Sequence, residues 1–240
     1  ITTRREMMPW KKFYHIPFVS LINYVSGNIE TNSKAIFDNL KYEFFVNDKA
    51  YFVPNIILKP NRNEKMPFFS DKNVYIGTVS NVRKAKNIEL FLEIALQIIQ
   101  STSNINFVIA GKDKHNMVQN FIDANNLLNR LFIYEDIDYE NIDKFYNGLD
   151  IFLFTSIYEG SPNVIYEAIN AGIPIVSSDI PATRELIVNN YNGFLVNLNS
   201  FDDFILKINS IIENDDLRRI MIKNNYKKSK ELFTLDDIKL

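Results

Sequence analysis

The 240-residue sequence contains no cysteine and only two histidines, His15 and His115. The first absence excludes a disulfide framework and any thiolate metal site, and it suits a reducing compartment. The two histidines lie far apart and are too few for a histidine-based zinc site, so they read as surface or packing residues. Glycine is scarce at seven residues, and no Gly-x-Gly-x-x-Gly follows any apolar run, which argues against a dinucleotide dehydrogenase. Long hydrophobic runs are also lacking. The most apolar stretch, Ile16 to Val25, is broken by Pro17, Ser20 and Asn23 and falls well short of the ~20 residues of a membrane helix. No apolar segment of the secretory kind follows Ile1-Thr2-Thr3-Arg4-Arg5, so a cytoplasmic protein is expected. Neither sign of charge dominates, with 27 Lys and Arg against 29 Asp and Glu, which leaves no general electrostatic reason to bind nucleic acid.

What is present is the composition of an ordinary globular chain, 46% hydrophobic and 23% charged. From Val74 onward short apolar runs alternate with amphipathic stretches, the pattern of βαβ units. Strands are expected at Val74–Ser80, Ile105–Ala110, Leu131–Tyr134, Ile151–Thr155, Pro174–Ser177 and Gly193–Val196. Helices are expected at Ile88–Ile99, Met117–Asn125, Ile142–Asn147, Asn163–Asn170 and Thr183–Val188, and two more, about Asp202–Glu213 and Asp216–Leu232, follow the last strand. The fold class is therefore α/β, a doubly wound parallel sheet of the Rossmann-like kind. Residues 1–57 are less periodic, with a buried strand at Phe18–Tyr24, a helix at Ser33–Leu40 and a strand at Tyr51–Val53, too little to make a core of their own. The polar, proline-bounded stretch Lys59–Asp71 reads as a linker, which divides the chain into segments 1–57 and 58–240.

In such a sheet ligands bind beyond the carboxyl ends of the strands, where helix N-termini offer free N–H groups. One loop there runs from Ser156 to Asn163 and includes Glu159, Gly160, Ser161 and Pro162. Gly160 permits close backbone approach, and Pro162 suits a first helical position. Glu159 and the later Glu167 could turn two carboxylates into one cleft, where hydroxyls would satisfy them. On spacing alone the plainer alternative stays open: a loop-ending glutamate and a helix-surface one.

Three sets of residues carry a resemblance. Glu159-Gly160-Ser161-Pro162 through Val164 to Glu167-Ala168, with Ala171-Gly172-Ile173-Pro174 and Asp179-Ile180-Pro181 to Arg184-Glu185, resembles the donor-site signature of family 4 glycosyltransferases, retaining enzymes of the two-lobed GT-B architecture. Gly77 to Asn87, with Asn81, Arg83 and Lys86, resembles the basic loop of the same family, and Ala110-Gly111-Lys112-Asp113 its glycine turn with the second glycine missing. The resemblance implies that Glu159 touches the donor sugar, that Glu167 holds the ribose hydroxyls, and that the amides of Gly160, Ser161, Asn163 and Val164 complete the sugar and phosphate contacts. It makes Lys86 the phosphate lysine. Asn81 stands where an arginine is usual, so Arg83 would have to reach in. It also implies close approach of nucleotide at Gly77 and Gly111, with base recognition near Tyr134 to Ile137 put in doubt by Glu135 where a glycine is usual.

By the same resemblance Ser26–Leu40 and Phe52-Val53-Pro54-Asn55 correspond to the end of the acceptor lobe and Leu232–Leu240 to its returning tail. The rest of that lobe, with its glycine-rich acceptor loop and histidine, is expected to lie outside these residues. The implied reaction is retaining, metal-independent transfer of a hexose from a nucleotide-diphosphate sugar to a glycan or lipid-linked acceptor in cell-surface polysaccharide synthesis, with no cofactor. The alternatives are a nucleotide-sugar epimerase of the same architecture and a fragment that binds donor without turnover; a glycoside hydrolase using the paired carboxylates is disfavoured. Arg4, Arg5, Trp10, Lys11 and Lys12 mix basic and aromatic side chains, which fits a terminal stretch orphaned from its lobe or peripheral contact with anionic lipid.

Overall fold

The computed structural model describes residues 2–4, 13–40, 42–53, 55 and 64–232. The expected domain boundary, most of the basic-aromatic N-terminal stretch and nearly all of the returning tail lie outside the described residues.

The N-terminal part is a three-stranded parallel sheet, β1 (Thr2–Arg4), β2 (Ile29–Thr31) and β3 (Ala50–Phe52), in that spatial order. Two helices connect the strands, α1 (Ile16–Val25) and α2 (Lys34–Leu40). Phe18–Tyr24, expected as a buried strand, belongs to α1. Pro17 opens the helix, and Val19 and Asn23, four residues apart, are its buried positions while Phe18 and Leu21 face outward. An alternating strand cannot bury that pair and expose those two together. Asn23 is fixed by donating to Glu43 Oε2 and to the Phe44 carbonyl, each at 3.1 Å. The segment also builds a small core of its own, contrary to expectation: Ile29, Ile36, Leu40 and Val46 are buried together against Ala50.

The larger sheet has six parallel strands, β4 (Val74–Val79), β5 (Ile105–Ala110), β6 (Leu131–Tyr134), β7 (Ile151–Phe154), β8 (Ile175–Ser178) and β9 (Gly193–Val196), ordered β6-β5-β4-β7-β8-β9. The strands are largely apolar because both faces are covered. Along β5, Ile105, Phe107 and Ile109 enter one core with Phe91 and Ile98, whereas Val108 and Ala110 enter the other with Phe145 and Ile169. The first core lies beneath α3 (Ile88–Ser101) and α4 (Met117–Ala124), and the second beneath α5 (Ile142–Tyr146) and α6 (Asn163–Ala171). Strand order reverses between β4 and β7, which makes their C-terminal ends the crevice of the fold.

The short helix α7 (Pro181–Arg184) begins and ends earlier than the expected Thr183–Val188. Pro181 starts it, Thr183 Oγ1 accepts the Ile180 N–H at 3.2 Å, and Asn192 Oδ1 draws the Val188 N–H away at 2.7 Å. Helices α8 (Phe201–Glu213) and α9 (Asp215–Ser229) close the domain. α9 packs on α6. The buried Asn225 amide donates to the Ile173 carbonyl at 2.8 Å and the Asn192 carbonyl at 2.9 Å, and Ser229 donates to Asn170 at 2.6 Å. Gly172 ends α6 at a φ of +79°, and a Cβ there would fall 2.3 Å from the Tyr226 ring.

Candidate functional site

A cavity of about 460 Å³ opens at the crevice, at the carboxyl ends of β4, β5 and β6. Asn81, Arg83, Lys86, Gly111 and Val164, all singled out in the sequence, line it. Lys112, in the glycine turn, and Glu135 and Ile137, in the stretch named for base recognition, line it as well, as does Ile142, which the sequence did not single out. The loop after β4 supplies most of the cationic edge. It is held by strand-like bonds to the loop after β5, from Ser80 N to the Ala110 carbonyl at 2.8 Å and Val82 N to the Lys112 carbonyl at 2.9 Å. Asn81 Oδ1 accepts the Lys112 N–H at 2.8 Å. The residue in the expected arginine position thus ties two loops together, and Arg83 and Lys112 are exposed cations at the cavity.

Gly111 has a φ of +154°, and a Cβ on it would lie 2.1 Å from the Ser80 carbonyl oxygen, so only glycine permits this approach of the two loops. Gly77 is different. It sits within β4, and a Cβ would meet Leu149 Cδ2 at 2.6 Å and Val108 Cγ2 at 2.7 Å. The structure makes it a packing glycine that does not line the cavity.

The loop after β7 is anchored on both sides. Ile157 N donates to the Ala85 carbonyl at 2.8 Å, Thr155 Oγ1 to the Lys86 carbonyl at 3.1 Å, and Ser178 Oγ to the Ser156 carbonyl at 2.6 Å. These bonds bring Glu159 to Lys86. The two form an ion pair in which Glu159 Oε1 also accepts from Ser156 Oγ at 3.1 Å, and both side chains are largely buried. Gly160 and Pro162 are buried and Ser161 half-buried. Helix α6 starts at Asn163, with Pro162 as an extended cap and not the expected first helical residue. Gly160, Ser161, Pro162 and Asn163 border the crevice without lining the cavity itself.

Glu167 lies one turn beyond Val164 on α6 and crosses to α5, where Tyr146 Oη donates to its Oε2 at 2.6 Å. Burial pushes the Glu167 carboxyl above the usual range; the Tyr146 hydrogen bond opposes the shift and the charge of Asp143 adds to it. Tyr146 is itself pushed well up, by burial first and then by Glu167. Arg184 and Glu185 do not pair with each other. Arg184 forks onto Asp179 at 2.6 and 3.0 Å, while Glu185 accepts from Ser33 Oγ and from Lys34 N, each at 3.1 Å, at the start of α2. Asp136-Ile137-Asp138 has the Asp-x-Asp spacing of metal-dependent glycosyltransferases. Both carboxylates are exposed, and among the described residues no group of three or more His, Asp or Glu could hold a metal ion.

Cation-edged loops and helix starts at the strand-order reversal suit a ligand carrying phosphates and hydroxyls. Residues 61–228 match the family described as Glycosyl transferases group 1. The chain belongs to that family. It is 30% identical over 182 residues to an Escherichia coli UDP-Gal:alpha-D-GlcNAc-diphosphoundecaprenol alpha-1,3-galactosyltransferase, covering 74% of this chain and 46% of the relative. It is 25% identical over 177 residues to the Staphylococcus aureus capsular polysaccharide biosynthesis glycosyltransferase CapM, covering 71% and 45%. Among solved structures, S. aureus TarM in complex with Fondaparinux, alpha-GlcNAc-glycerol and UDP superposes with a TM-score of 0.82 at 18% identity, over 98% of this chain and 48% of TarM. The fold of this group 1 chain is thus GT-B-like, and the chain spans about half the length of the curated relatives it matches. Among the described residues no helix is long and apolar enough to cross a membrane.

Proposed function

We propose that this group 1 chain is the donor-binding part of a retaining glycosyltransferase. The enzyme moves a hexose from a nucleotide-diphosphate sugar to a glycan or lipid-linked acceptor in cell-surface polysaccharide synthesis, and needs no metal. The observation that carries the reading is the Lys86–Glu159 pair at the edge of the cavity, with Arg83 and Gly111 beside it. A diphosphate bound along these loops competes with Glu159 for the Lys86 ammonium. The carboxylate released from that contact then accepts hydroxyls of the attached sugar. Glu167, one turn into α6, accepts ribose hydroxyls. The names of the E. coli relative, a UDP-galactose enzyme acting on a diphosphoundecaprenol acceptor, and of the UDP complex of TarM support a nucleotide-sugar donor and a lipid-linked or glycan acceptor.

In the proposed reaction the acceptor oxygen bonds to the anomeric carbon on the face from which the diphosphate departs. The anomeric carbon–phosphate oxygen bond breaks, and the acceptor proton passes to the departing diphosphate. Negative charge grows on that diphosphate in the transition state, so Lys86 and Arg83 bind it more tightly than the ground state. Calorimetric titration with UDP, GDP, ADP and their sugar conjugates tests the reading. Saturable binding of one nucleotide, weakened by both Glu167→Ala and Lys86→Ala, is the expected result. Folded protein that binds none of them would sink it.

A further inference from the structure

Asn55 belongs to the N-terminal part by sequence, yet its side chain ends on the donor loop. Asn55 Nδ2 donates to Ser161 Oγ at 3.0 Å and to Asn163 Oδ1, while its Oδ1 accepts from Asn32 Nδ2 at 2.8 Å. Asn32 sits directly after β2, in the turn whose next two residues, Ser33 and Lys34, donate to Glu185. One turn of the N-terminal sheet therefore makes two polar ties to the larger domain. One goes through Asn55 to the start of α6, and the other goes directly to Glu185 beyond α7.

The consequences for the loop follow from what lies at its end. Residues Gly160 to Asn163 connect Glu159, paired with Lys86, to the first turn of α6, where Ile165 N–H donates to the Pro162 carbonyl at 3.0 Å and the Asn163 and Val164 amides precede any intrahelical acceptor. A donor amide placed between Ser161 and Asn163 fixes both side chains from outside, leaving the Asn163 and Val164 N–H groups unobstructed. An amide is suited to this, because it accepts from Asn32 and donates twice without carrying charge into a site meant for an anion.

We propose that Asn55 is a positioning residue, which holds the diphosphate-facing start of α6 in register with the N-terminal sheet. It acts through Ser161 and Asn163 and touches no substrate atom. The inference rests on the donor-site reading above and deepens it. Its effect falls on the part of the ligand that meets the loop, the β-phosphate and sugar, and spares the nucleoside end near Gly111 and Glu167.

The test is calorimetric titration of the 240-residue chain and its Asn55→Ala and Asn55→Asp variants with UDP and UMP, alongside hydrogen exchange of the peptide spanning residues 156–168. Asn55→Ala should weaken UDP by about tenfold and leave UMP within about twofold, with faster exchange in that peptide alone. Equal loss for UDP and UMP, or unchanged UDP affinity with unchanged exchange, overturns the proposal. Asn55→Asp keeps the side-chain shape and removes the donor, and it decides the matter if the alanine variant does not fold. Should the unsubstituted chain bind neither nucleotide, the donor-site reading has failed, and the exchange of residues 156–168 alone decides whether Asn55 holds the loop.

Discussion

The hydroxyl of Tyr146 donates to Oε2 of Glu167 at 2.6 Å, joining α5 to α6 beneath the crevice. A carboxylate that accepts this bond has its rotamer set by the pairing. Tyr146→Phe removes the donor and leaves a buried carboxylate short of a partner. It is expected to cost about 1–3 kcal/mol in chemical denaturation, and to weaken ribonucleotide binding more than binding of the matching 2′-deoxynucleotide.

Glu167 should leave a signature in the pH dependence of stability. Its carboxyl is raised above the usual range, chiefly by burial. Between the ordinary glutamate value and the raised one, the folded chain holds a proton that the unfolded chain releases. Stability contributed by this group is therefore present at low pH and lost as pH rises through that window. Glu167→Gln should accordingly match the parent near pH 4 and gain on it toward neutral pH in urea melts. Parallel pH profiles for the two proteins would contradict the assignment.

Lys86→Ala takes one cation from the cavity edge while leaving Glu159 its bond from Ser156. A charge-assisted contact of this kind is worth enough to lower nucleoside diphosphate affinity by about 10- to 100-fold. Nucleoside binding should hardly change, and titration of both ligands against the variant separates the two effects.

Two glycines that look alike in sequence should behave differently when replaced by alanine. At Gly111 the new methyl meets the Ser80 backbone at a positive φ, so destabilisation of about 1–3 kcal/mol should come with loss of nucleotide binding. At Gly77 it meets the Leu149 and Val108 side chains inside the core, where overpacking costs about 1–3 kcal/mol. Once folded, the Gly77→Ala protein should still bind. Thermal melts and titration on both variants check the contrast.

The larger sheet was legible because its strands are buried on both faces and its helices on one, so the apolar pattern changes period at each junction. That signal fails in the N-terminal part. Phe18, Leu21 and Tyr24 are apolar yet exposed, and a reading based on hydrophobicity turns an exposed helix face into a buried strand. Arg83, Lys86 and Gly111 could be found through the resemblance of their loops to the family 4 pattern, and the structure places all three at the cavity. Tyr146 and Asn55 could not be found this way. Tyr146 meets Glu167 across 21 residues and Asn55 meets Ser161 across 106, and polar side chains paired at such separations leave no periodic trace. Gly77 misled because a glycine near a basic loop and a glycine packed within a strand are written with the same letter.

Helix α6 is gripped at both ends by chain segments far from it in sequence: Asn55 at its start, and Tyr226 against Gly172 at its finish. Its nine residues make a rod about 13 Å long. A rod so held resists sliding along its axis, since movement either way must strip the amide contact or drive Gly172 into an aromatic ring. The packing of α9 thus bears on the same helix whose start follows the loop that carries Glu159. Substitutions at Tyr226, remote from the crevice, belong to the same strut as those that line it.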